Sequence, residues 1–280
     1  MTTRLLVIGN SHIAALIAAR DKDPARWDGL TIDRVALRGH IVREAEIRNG
    51  RFQPTTDDAR ERFAELNGGQ ENWVVTGYDA IAVVGLDFKP LSAVALSRRV
   101  TWRKLPSILA EEDLSQMGTT LVSEAAARAA IEGRLENCDA AILTRALKSE
   151  VDCPIFLLPC PRISARGKWS KLPRFFGHGR AIKRGDAAEI EQLWETAARA
   201  VSRRLGARYI TQPRGTVVSH ILTRRDFMSA EDSWINTAEG PLKGPDLSHA
   251  NSAYGSLMLQ RLAHKLSSGQ DAEDVDSSAA

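Results

Sequence analysis

Five short runs that read as strands constrain this chain more than any other feature: residues 5–8, 30–37, 78–86, 154–159 and 207–211, the first, third and fourth almost unbroken apolar. Strands apolar on both faces belong to parallel sheets covered by helices on both sides, because a half-solvated strand alternates apolar with polar residues. Residues 13–20, 124–135, 187–205 and 251–265 are rich in Ala, Leu, Arg and Glu, with apolar residues at helical spacing. Strands alternating with helices predict an α/β chain, a three-layer sandwich with a central, mainly parallel sheet in a single domain over residues 1–266. Residues 267–280 hold Ser, Gly, Asp and Glu with almost nothing apolar, which predicts a disordered acidic tail.

Composition narrows the function classes. The 280 residues carry 38 basic and 35 acidic side chains, a net charge of +3, too little for a dedicated nucleic-acid binder judged on the total. Cys138, Cys153 and Cys160 form neither a paired framework nor a C-x-x-C spacing, which suits a reducing compartment. No apolar run approaches the length of a membrane span, and the first residues are too briefly apolar for a secretion signal. The expectation is a cytoplasmic, soluble protein with no membrane and no nucleic-acid partner. There is no G-x-G-x-x-G, no Walker loop and no H-E-x-x-H, and His40, His178, His220 and His264 are scattered, so neither a cofactor nor a metal is expected.

Reacting groups in open α/β sheets gather at the carboxyl ends of the strands. Three such ends carry polar residues or glycine: Gly9-Asn10-Ser11-His12, Arg38-Gly39-His40 and Gly85-Leu86-Asp87. Ser11 stands where a strand turns into a helix, beside free N–H groups and a positive dipole end. That place suits two roles, a nucleophile or a helix cap, and Asn10 suits the cap as well. His12 either shapes the same turn or packs behind it.

A serine nucleophile needs a base, and the base needs an orienting acceptor. Gly244-Pro245-Asp246-Leu247-Ser248-His249 offers both, just ahead of the helix expected over 251–265. A carboxylate three residues before an imidazole can fix its tautomer; the competing reading is a turn in which Asp246 caps and His249 is solvated. Ser219-His220 shows that the Ser-His pair alone carries little information.

G-N-S-H after the first strand, together with D-x-x-H near the end of the chain, resembles the SGNH (GDSL-like) hydrolase superfamily. Gly9-Asn10-Ser11-His12-Ile13-Ala14-Ala15-Leu16 is most similar to the G-D-S-H-A form found in SGNH domains associated with polysaccharide O-acyltransferases. Residues 246–255, reading D-L-S-H-A-N-S-A-Y-G, are similar to the closing block of such domains. The likeness in element order spans residues 1 to about 265, and its specific motifs are confined to the two ends. The resemblance implies a flavodoxin-like sandwich with Ser11 as nucleophile, His249 as general base and Asp246 as its orienter. It also implies that Gly39 lends an N–H to the oxyanion. The family's third block ends in Gly-x-Asn, where this chain has Gly85-Leu86-Asp87; an ionised carboxylate cannot donate to an oxyanion. Asp87 must then be protonated, point away, or be replaced as donor by Asn10, His12 or His40. The implied activity is a serine esterase acting on a small acyl ester of a polar or carbohydrate substrate. The alternatives are an O-acetyltransferase using the same residues and a non-catalytic fold binding a glycan or anionic metabolite.

One segment hints at an anionic substrate. Between 161 and 185 the chain has Arg162, Arg166, Lys168, Lys171, Arg174, Arg180, Lys183 and Arg184 with no acid, interleaved with Trp169, Phe175 and Phe176. It follows a strand's carboxyl end, so it suits a lid over the site or a solvated loop whose aromatics pack on the core.

Overall fold

The computed structural model describes residues 2–110, 119–173, 175–229, 232–237 and 240–268, without the side chains of 232–237, 240–245 and Ser268. All five runs enter one sheet. Its strands are β1 (Thr3–Gly9), β2 (Leu30–Ala36), β3 (Ala80–Val84), β4 (Ile155–Leu158) and β5 (Arg208–Tyr209). They lie in the order β2-β1-β3-β4-β5, and every neighbouring pair is parallel.

Strand parity explains why the runs in β1, β3 and β4 are apolar throughout, whereas β2 at the sheet edge is only partly buried and carries Thr31, Asp33 and Arg34. Leu5 and Val7 of β1 face one side, where they join Ile13, Leu16, Tyr254, Met258, Leu259 and Leu262. Leu6 and Ile8 face the other, with Val35, Ile81, Val83, Ile155 and Leu157. The first core is closed by α1 (Ile13–Lys22) and α5 (Ser252–Ser268). The second is closed by α2 (Glu124–Glu136), α3 (Asp139–Lys148) and α4 (Ala187–Arg204). The protein is therefore a single-domain α/β fold with helices on both faces of a central five-stranded parallel sheet.

Smaller elements flank this frame. Strands Ala45–Arg48, Arg51–Pro54 and Trp73–Val74 make a small antiparallel sheet, turned at Asn49 and Gly50, both with positive φ. Helix Asp57–Leu66 follows, its first turn capped by the Thr56 hydroxyl accepting from the Ala59 N–H. Strands Asp232–Thr237 and Gly240–Pro245 pair antiparallel just before Asp246. Helix α5 runs to Ser268; residues 269–280 of the expected tail lie outside the described residues. No helix among the described residues is long and apolar enough to cross a membrane.

The order places a topological switch at β1. The chain leaves β1 for β2 on one side and returns to β3 on the other, opening a crevice at their carboxyl ends. Ser11 and the turn at 85–87 both stand there.

Candidate active site

β1 ends at Gly9, where any side chain would strike the Val84 carbonyl of the neighbouring strand. The chain then turns: the Ile13 N–H donates to the Asn10 carbonyl at 3.0 Å, and the His12 N–H to Asn10 Oδ1 at 3.3 Å. His12 is the N-cap of α1, and no side chain caps it. Ser11 is thus free of the capping role. It is exposed, and its Oγ lies 2.7 Å from His249 Nε2.

The loop bearing His249 is held at every turn. Asp246 Oδ1 accepts from the backbone N–H of Ser248 (2.9 Å) and of His249 (3.0 Å), while Oδ2 lies 2.7 Å from His249 Nδ1. The Ser164 N–H donates to the Leu247 carbonyl, and the Ser229 N–H to that of His249. Asn251 caps α5 by accepting from the Tyr254 N–H, and its Nδ2 donates to the Asp226 carbonyl. Asp246 thus contacts both the backbone and the ring of His249, whose side chain remains 41% exposed.

Asp246 is buried, which works against its charge, but the hydrogen bonds from the His249 ring and the two N–H groups outweigh burial and hold its pKa at about 2. An ionised carboxylate only accepts, so in the neutral imidazole the proton belongs on Nδ1 of His249 and Nε2 is the acceptor. That nitrogen accepts the Ser11 hydroxyl. The chain Asp246–His249–Ser11 is therefore poised to remove a proton from Ser11.

The third turn is the most constrained. Gly85, Leu86 and Asp87 all have positive φ, at 73°, 48° and 65°, a costly conformation for the two that carry a Cβ. Gly85 fits because a side chain there would collide with Asn10 Oδ1. The Leu86 carbonyl accepts from the Ala140 N–H at the start of α3 (3.0 Å). Of the resolutions open to Asp87, the structure shows it turned to Lys89, whose Nζ donates to Oδ1 at 2.6 Å. The His12 ring centroid lies 5.2 Å from that of His249. Its Nδ1 is buried without a partner, and burial, with the nearby His249, lowers its pKa to about 3. His12 is a neutral neighbour of the dyad.

Gly39 opens the short helix Gly39–Arg43 after β2. The Asp139 carboxylate lies against its Cα and pairs with Arg43 Nε at 2.8 Å; burial raises the Asp139 pKa. The backbone N–H groups of Ser11 and Gly39 have no acceptor among the described residues. The structure thus brings Asn10, Ser11, His12, Asp246 and His249 together and sets Gly85–Asp87 against them. No hydrogen bond among the described residues ties Gly39 to that group, and His40 is exposed. Lys89 and Asp139 escaped the sequence reading. Only the position of Lys89, two residues after Asp87, signalled its pairing.

The basic segment divides: Arg162 and Phe175 are buried, while Arg166, Lys171, Arg180, Lys183 and Arg184 are exposed. Arg162 is buried, its Nη2 held by Glu191 (2.8 Å) and Glu195 (3.2 Å). Phe175 is in the core and accepts at its carbonyl from His178 Nδ1 (2.8 Å). Trp169 is 63% exposed and leans on Gly179. Arg174 lies outside the described residues. Among the described residues, no three His, Cys, Asp or Glu cluster as a metal site would require.

No protein-family profile and no curated protein matches the chain. Among solved structures it is similar to a DUF4886 family protein from Bacteroides uniformis, at 10% identity and a TM-score of 0.45, covering 98% of this chain and 88% of that one.

Proposed function

We propose that this protein is a serine esterase acting on a small acyl ester of a polar or carbohydrate substrate. The carrying observation is the hydrogen-bonded chain from Asp246 through His249 to the exposed Ser11. The likeness of G-N-S-H and D-x-x-H to SGNH hydrolases supports the same reading. In this mechanism Ser11 Oγ attacks the ester carbonyl carbon as its proton passes to His249 Nε2. The tetrahedral intermediate, held by the N–H groups of Ser11 and Gly39, expels the alcohol, which takes that proton. The acyl group stays on Ser11 Oγ. Water then attacks it, giving its proton to Nε2, and the acid leaves as Ser11 regains the proton. A sugar hydroxyl in place of water makes the same residues an O-acetyltransferase.

A fluorophosphonate probe tests the reading. Labelling of the wild type that vanishes in Ser11→Ala and His249→Ala supports it. A folded wild type that stays unlabelled overturns it in favour of a non-catalytic binder, the reading that Asp87 in the third block favours. Acetate release with and without a sugar acceptor separates hydrolysis from transfer.

A further inference from the structure

A second polar cleft lies between the short helix Leu91–Leu96 and α2. It encloses about 330 Å³ and is rimmed by Arg98, Arg99 and Arg134, with Leu96 and Ile131 in its floor. Among the described residues none of the three guanidinium groups has a carboxylate partner. The glutamates of α2 are engaged elsewhere: Glu132 and Glu136 both hold Arg204, at 2.8 and 2.7 Å. Three guanidinium groups around one small cavity, none with a carboxylate partner among the described residues, give it a positive potential that an anion between them would meet.

Two of the three are held in place. Arg134 Nε donates to Ser92 Oγ at 3.1 Å, and Ser92 is buried. Arg98 Nη1 donates to the Pro173 carbonyl at 3.1 Å, and its guanidinium lies 5.0 Å over the Phe176 ring. Each spends one donor on the protein and keeps the others for a ligand, so little side-chain entropy is lost on binding.

We propose that this cleft binds a phosphate monoester. The forked donors of Arg98, Arg99 and Arg134 take the phosphoryl oxygens, and Leu96 and Ile131 take the carbon skeleton. A tetrahedral dianion matches three guanidinium groups, whereas a single carboxylate leaves two of them uncompensated. A cavity of this size suits a small metabolite. The proposal stands apart from the esterase reading, since it uses none of the residues around Ser11.

The test is calorimetric titration with glycerol 3-phosphate, inorganic phosphate and glycerol at about 150 mM salt, where long-range attraction is screened. Glycerol 3-phosphate is expected to bind more tightly than inorganic phosphate, and glycerol not at all. Arg99→Gln and Arg134→Gln are each expected to weaken binding about tenfold or more, while Ser11→Ala leaves it unchanged. Arg99 makes no hydrogen bond or ion pair among the described residues, so Arg99→Gln keeps the test open if Arg134→Gln does not fold. Absence of binding at about 10 mM, or binding untouched by the arginine substitutions, overturns the site. Equal affinity for phosphate and its monoester overturns the part given to the floor.

Discussion

The Cα of Gly255 rests against the backbone carbonyl of Ala15, so closely that any side chain at 255 would overlap it. Ala15 lies four residues after Ser11, and Gly255 six after His249. This contact sets the spacing of α1 and α5, and through them the 2.7 Å between Ser11 Oγ and His249 Nε2.

Gly255→Ala is expected to destabilise the fold by about 1–3 kcal/mol through overpacking, despite the better helix propensity of Ala. Gly133 in α2 has open space where a Cβ would go, so Gly133→Ala is expected to stabilise by about 0.5–1 kcal/mol. Urea unfolding of the two variants reads both signs. Only Gly255→Ala is expected to slow fluorophosphonate labelling.

Asp246→Asn keeps the shape of its loop but removes the acceptor that fixes the Nδ1 proton. Nε2 is then free to carry the proton, and Ser11 loses its acceptor. Labelling by the probe is expected to slow by about 10³–10⁴-fold, as for an orienting carboxylate elsewhere. A loss of less than about tenfold would show that Asp246 serves the loop alone.

His12 governs acid stability. Its folded pKa of about 3 lies below the usual histidine value of 6.5. Between those values the unfolded chain holds a proton that the native one refuses, so stability is full above about pH 6.5 and falls as pH drops toward 3. His178, lowered by burial to about 4, acts with the same sign. Each contributes a slope of up to about 1.4 kcal/mol per pH unit. His12→Gln is expected to remove one proton's worth of that slope, read by chemical denaturation from pH 7 down to 4. An unchanged slope would mean that His12 titrates alike in both states.

Asp87 tests the left-handed turn. Asp87→Gly relieves the positive φ and gives up only an exposed ion pair with Lys89. It is expected to leave stability unchanged or raise it by up to about 1 kcal/mol. Asp87→Ala keeps the strain and loses the local polarity that Asp brings to this region, so it is expected to be the less stable of the two in thermal unfolding.

The inner strands β1, β3 and β4 were legible because burial on both faces leaves continuous apolar runs, and Leu5 to Ile8 is the clearest; the edge strands β2 and β5 are only partly buried and gave a weaker signal. Their ends were not, since Gly85, Leu86 and Asp87 end β3 by conformation while Leu86 still reads as apolar. Helix α3 begins at Asp139 without a capping side chain, so it lacked a start signal. The turn at Asn49-Gly50 was a hairpin signal that went unread. Ser11, Asp246 and His249 could be named as candidates, because a strand-to-helix turn and a three-residue spacing are local patterns. Their meeting across the chain was not local. It depends on Gly255 against Ala15, which is invisible until both helices are placed.

The exposure of Ser11 and His249 has a kinetic consequence under the esterase reading. Nothing among the described residues closes over Ser11, so bulk solvent reaches an acyl group there and breakdown by water proceeds at a fixed background rate. An alcohol acceptor can outrun it only by being bound beside Nε2. Transfer would therefore saturate with acceptor concentration, and the ratio of transferred to hydrolysed product would report the affinity of that acceptor directly.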